Sequence, residues 1–195
     1  MSTPTDTRIS RLPVPDESEL PASVRALFDT TRRRTGHVPN WLAAFALHPG
    51  HFERLTAYLF PLLEGNSEGA ASLTSRERTI LSTIVSVENG CAYCHTLHVH
   101  ELGEFLSDHW LANRIALNHR EVGELSEREH ALAELAIVLT HRPGEAGDDI
   151  IAPLRGLGLA DVDIHEAVQI VAILNTTNRL SLALGLVPDR ELFHQ

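Results

Sequence analysis

The sequence predicts an all-α protein, a bundle of about eight or nine helices. Three observations predict it. Apolar residues recur at helical spacing in one stretch after another, and no alternating strand run of useful length occurs. The hydrophobic fraction is 43% but the aromatic fraction only 5%, so Ala, Leu, Ile and Val must build the core. Two segments, Leu73-Thr74-Ser75-Arg76-Glu77 and Leu125-Ser126-Glu127-Arg128-Glu129, carry a hydroxyl residue with Glu three places on, the signature of a helix capping box. A length of 195 residues suits one domain with a sizeable core.

Residues 1–20 hold Pro4, Pro13 and Pro15 and read as an extended arm, free to drape over a neighbouring subunit or to stay loose. The single all-α domain is expected over 21–195. Pro21 suits a first helical position, and Val24, Leu27 and Phe28 carry a helix to Gly36. Asn40 is expected to cap a short apolar helix over 41–47, which Pro49-Gly50 ends. Phe52, Leu55, Tyr58, Leu59 and Leu62 then form an amphipathic stripe. Residues 65–71 read as a small-residue linker and internal boundary. A redox core of about 73–120 follows: one helix from Thr74 to Asn89-Gly90, a second from the cysteines to near Gly103, a third over 108–118. The start at Leu73 returns fifty-two residues later at Leu125, which suggests a duplicated helical unit. The second copy has Pro143 and Ala146 where the first has Cys91 and Cys94. A short helix over 148–157 and a long, nearly all-round apolar one from 161 to 185 complete the chain; the latter belongs inside a bundle or at an interface.

The formal charge is -10, and every Lys/Arg position is Arg. An acidic surface repels phosphate backbones, so no nucleic-acid partner is expected. The basic run Arg32-Arg33-Arg34 is explained by a helix C-terminus. With no apolar segment in residues 1–20 and no run of about eighteen apolar residues, neither a signal peptide nor a membrane span is expected. The expected location is the cytoplasm, where a disulfide is more often catalytic than structural.

The chemistry concentrates in residues 88–100, Glu-Asn-Gly-Cys-Ala-Tyr-Cys-His-Thr-Leu-His-Val-His, which hold both cysteines of the chain at the start of a helix. A free thiol of pKa near 8.5 is only about 3% thiolate at pH 7; lowering that pKa by about two units takes roughly 2.7 kcal/mol. Helix N-terminal amides, a neighbouring imidazole and the partner Cys can each contribute. Residues four apart share a helix face, so Cys94 faces with His98 and Cys91 with His95. One Cys attacks a substrate and the other resolves the sulfenic acid into a disulfide. Cys91, nearer the helix tip, is expected to be open to a reductant, with Cys94 the protected attacker. Two alternatives stand beside this: a zinc site, though four ligands within one and a half turns cannot surround a tetrahedral ion, and two inert core cysteines. Asn175, Asn178 and Arg179 form a polar group inside the apolar last helix. Interhelical hydrogen bonding explains them, and lining of the thiol pocket is the competing reading.

These motifs carry a resemblance. Leu73-Thr74-Ser75-Arg76-Glu77-Arg78, then Val85-Ser86-Val87-Glu88-Asn89-Gly90-Cys91-Ala92-Tyr93-Cys94, then His98 resemble the alkylhydroperoxidase D-type / carboxymuconolactone decarboxylase family, in its peroxidase-related branch. Glu166-Ala167-Val168 and the stretch 175–180 resemble it too. The resemblance implies an all-α homo-oligomer, trimeric or hexameric as first guess. It also implies a thiol peroxidase that needs no cofactor or metal, only a hydroperoxide substrate and an external dithiol reductant. Carried over, Cys94 is the peroxidatic thiol, Cys91 the resolving one and His98 part of a proton relay. The family's relay Glu, twelve residues before the first Cys, is here Thr79, and Tyr93 stands where the best-known members have His. Glu88 is the expected stand-in carboxylate. The alternatives to a peroxidase are a non-catalytic redox-sensing oligomer and a decarboxylase-like lyase, the latter disfavoured by the intact pair of cysteines.

Overall fold

A computed structural model describes residues 8–65 and 73–193. Among these residues there are nine α-helices and no strand: α1 Ala22–Thr35, α2 Asn40–Phe45, α3 Pro49–Glu64, α4 Ser75–Glu88, α5 Ala92–Leu106, α6 His109–Asn118, α7 Glu127–His141, α8 Asp148–Gly156 and α9 Asp161–Leu184. The all-α expectation is met. Among the described residues no helix is long and apolar enough to cross a membrane. Apart from Gly65, the expected small-residue linker lies outside the described residues.

The main core is built where α4, α5, α6, α7 and α9 meet, around Ile80, Leu81, Leu102, Ile115, Leu135 and Ile170. α4 is buried on almost every side, and even its Ser82, Thr83 and Ser86 are covered. Their hydroxyls donate to carbonyls four residues back, which removes the cost of burying a polar group. A smaller cluster joins α1 to α2 and α3, with Phe28 and Phe52 edge to face at 6.1 Å.

Both capping boxes form, at Thr74 with Glu77 and at Ser126 with Glu129. They also exchange partners: Arg76 pairs with Glu129, and Arg128 with Glu77. Each residue pairs with the counterpart of its own neighbour at the fifty-two-residue offset. The starts of α4 and α7 are therefore clasped by a reciprocal pair of ion pairs.

Several boundaries differ from the expected ones. Asn40 does not cap α2: it is the first helical residue, and its side chain donates to the Val187 carbonyl. Pro49 does not end a helix but opens α3, a position where its missing N–H costs nothing. Pro21 lies just outside α1, and α5 runs past Gly103 to Leu106. From residue 8 the arm lies on its own chain. The Arg11 N–H donates to Leu184 O, and the Arg11 guanidinium donates to the carbonyls of Leu182 and Ala183. That cation satisfies carbonyls left open at the end of α9.

Candidate active site

The corner between α4 and α5 is set by backbone hydrogen bonds. Gly90, at φ 62°, donates to Val87 O, and Cys91 donates to Ser86 O. This paired closure of a helix end needs a left-handed residue at Gly90. Cys91 then serves as the N-cap of α5, with its Sγ accepting the Cys94 N–H at 3.2 Å. One residue thus ends α4 and starts α5, and its sulfur is aimed at the first turn. The two cysteines are joined as a disulfide, with Cα atoms 5.3 Å apart.

His98 follows one turn after Cys94 and is largely buried. Its carbonyl accepts from Thr83 Oγ1, and its Nδ1 pairs with Glu101 Oε2 at 2.7 Å. Cys94, His98 and Glu101 all line a cavity of about 630 Å³ between α2, α3, α4, α5 and α9. Its apolar walls include Trp41, Phe45, Phe60, Leu97 and Leu174. A site of this kind, mostly apolar with a few convergent polar groups, is the usual form of a small-molecule pocket.

The other sequence candidates fall into place unevenly. Thr79 faces the cavity, but its hydroxyl donates to Ser75 O at 2.8 Å within its own helix. Glu88 does not take up the relay: it pairs with His141 at 2.7 Å and is not part of the cavity wall. Its place just outside the first turn of α5 turns it toward α7 instead. The carboxylate beside His98 is Glu101, three residues on, which helical spacing could have found and the search upstream of the cysteines missed.

Cys91 is not open to solvent either. It is 1% exposed, packed with Ala44 and Leu186, and the sulfur at the cavity is that of Cys94. His95 lies off the cavity. Tyr93 is buried; its hydroxyl donates to Asp189 Oδ2 at 2.6 Å and accepts from the Trp41 N–H at 3.3 Å. Burial, followed by the Asp189 charge, pushes this phenol far above its usual range, so it stays neutral and acts as a tether.

Asn175 and Asn178 join helices and do not line the cavity. Asn175 accepts from Asn89 at 3.0 Å and from Arg179 at 2.6 Å, and donates to Thr140 at 3.1 Å. Asn178 pairs with Ser86. The Asn89 contact braces the corner immediately before Cys91, so these residues serve the site by holding its frame.

No family model and no curated protein matches the chain. Solved structures do. An alkylhydroperoxidase AhpD-core, peroxidase-related protein of Ralstonia eutropha JMP134 is 27% identical over 95% of each chain, with a TM-score of 0.88. A peroxidase-related protein of Silicibacter sp. TM1040 is 28% identical, covering 100% of this chain and 98% of its own, at 0.86. The debrominase Bmp8 superposes at 0.78 with 15% identity, over 96% of this chain and 95% of its own, and shows the shared fold alone. The neighbours thus agree with the resemblance read from the cysteine motif.

Proposed function

We propose that this chain, whose likeness to the alkylhydroperoxidase D-type / carboxymuconolactone decarboxylase family rests on both motif and fold, is a thiol-dependent peroxidase-like oxidoreductase. The observation that carries the reading is the joined pair of sulfurs at the N-terminus of α5, with Cys94 on an apolar cavity and His98–Glu101 one turn along.

In the reduced protein the Cys94 thiolate attacks the terminal oxygen of a hydroperoxide and the O–O bond breaks. The departing alkoxide takes a proton from the His98 imidazolium and leaves as an alcohol, while Cys94 becomes a sulfenic acid. The Cys91 thiol attacks the Cys94 sulfur, its proton leaves with the displaced hydroxide as water, and the disulfide forms. An external dithiol returns both thiols by exchange and is itself oxidised to a disulfide. Glu101 fills the part left open by Thr79: its hydrogen bond at Nδ1 fixes the orientation of the His98 ring.

The test mixes reduced protein with one equivalent of cumene hydroperoxide, then counts thiols and maps bonds by mass spectrometry. Rapid peroxide loss with a Cys91–Cys94 disulfide, repeated turnover with dithiothreitol and loss of turnover in Cys94→Ser are expected. Slow oxidation without turnover would point to a redox sensor. Full activity in Cys94→Ser would overturn the assignment.

A further inference from the structure

Beyond Tyr93, on the side away from the sulfurs, a second group of side chains meets. Asp189, on the segment after α9, has a side chain only 2% exposed. Its Oδ2 accepts the Tyr93 hydroxyl at 2.6 Å, and its Oδ1 accepts the Asn40 N–H at 2.8 Å. Both donors are neutral. A carboxylate taken out of water ordinarily has a cation or a metal beside it.

The group placed to respond is His37. Its Nδ1 lies 3.2 Å from the Thr35 carbonyl, which as an acceptor requires the ring proton on Nδ1. The lone pair of the neutral ring is then on Nε2, which is shielded from solvent and makes no hydrogen bond among the described residues. Nε2 faces Asp189 Oδ1 at 4.0 Å, too far for a hydrogen bond. Two electron-pair donors thus converge on one point. Glu191, in the 3₁₀ turn Arg190–Phe193, offers a third: one ligand atom from each of His37, Asp189 and Glu191 lies within 4.8 Å of the others.

We propose that His37 Nε2, Asp189 Oδ1 and a Glu191 carboxylate oxygen bind a divalent metal ion of borderline softness, with zinc as the best fit. One imidazole and two carboxylates suit such an ion and leave a position for water. Ligands about 2.0–2.1 Å from tetrahedral zinc stand about 3.4 Å apart, so His37 and Asp189 need to close by roughly half an ångström. A backbone carbonyl on the remote nitrogen of the imidazole is the usual way a metal-binding His is oriented. The ion would pin the C-terminal turn against Tyr93 at one rim of the cavity, since His37 and Glu191 both line it. Its three ligands are distinct from Cys91, Cys94, His98 and Glu101, although two of them share the cavity with Cys94. A second group, His100, Glu104 and His109, makes a weaker case because Glu104 and His109 already satisfy each other at 2.9 Å.

The experiment uses the full chain, stripped of metal and with its disulfide intact so that thiols cannot compete, titrated with Zn²⁺ by calorimetry at neutral pH. Saturable binding is expected, weakened at least about tenfold in His37→Gln and in Glu191→Gln and unchanged in His109→Gln. Zinc should raise the unfolding temperature of the wild type and not of Glu191→Gln, a change at an exposed residue whose folding circular dichroism can verify. Three results would each overturn the proposal: no saturable binding, equal binding in wild type, His37→Gln and Glu191→Gln, or loss in His109→Gln alone.

Discussion

In the proposed reaction, Glu101 takes the part of a carboxylate that the chain lacks at residue 79. At the position twelve residues before Cys91 the chain has Thr79, whose hydroxyl is spent on its own helix, while the carboxylate next to the imidazole comes from one turn further along α5. Replacing Glu101 with Gln should lower peroxide turnover by about tenfold to a hundredfold, mainly in kcat, because a weaker neutral acceptor replaces the carboxylate that orients the His98 ring. Steady-state kinetics with cumene hydroperoxide measures this, and Glu88→Gln, whose carboxylate pairs with His141 away from the cavity, should leave turnover close to wild type. At Tyr93 the expected effect is on stability. Tyr93→Phe removes a donor from the buried Asp189 carboxylate and should cost about 1.5–3 kcal/mol in urea unfolding. Helical spacing made the His98 face legible from sequence; Asp189, ninety-six residues from Tyr93, carried no local signal.

At the scale of elements, the α4–α5 corner and the α4–α7 clasp decide where the sulfurs sit. A Cβ at Gly90 would meet nothing within 4 Å, so Gly90→Ala tests backbone strain alone. It should cost about 1–2 kcal/mol and slow disulfide formation, as the corner that presents Cys91 relaxes. The clasp gives a pH dependence. Burial acts to raise the Glu129 pKa, but the Ser126 N–H, the Ser126 hydroxyl and the Arg76 guanidinium outweigh it and hold the carboxyl below its ordinary value of 4.5. A group depressed in the folded state contributes stability above its unfolded pKa and loses it as pH falls through the folded one. Wild-type stability should therefore drop between about pH 5 and pH 3. Glu129→Gln should be less stable at neutral pH by about 2 kcal/mol and fall less steeply across that window. Both capping boxes were readable from a five-residue pattern, since their chemistry is local. Their exchange of Arg and Glu partners was not, because it joins residues 51 and 53 positions apart.

Across the whole molecule, large apolar side chains remain on the surface of α6, with Leu117 82% exposed and Trp110 66%. The family resemblance implies a homo-oligomer, and this face is where one would bury apolar area. Sedimentation should show an assembly larger than one chain, shifted toward the monomer by Leu117→Arg; a wild-type monomer at all concentrations would refute this. The sequence by itself determined the all-α class, the two capping-box starts of α4 and α7, and the Cys91–Cys94–His98 spacing, because periodicity, capping and the reach of one helical turn are local properties. The tertiary structure alone decided which sulfur faces the cavity and that Asp189 closes over Tyr93. Those outcomes depend on which distant segments compete for the same buried space, and no short stretch of residues encodes that competition.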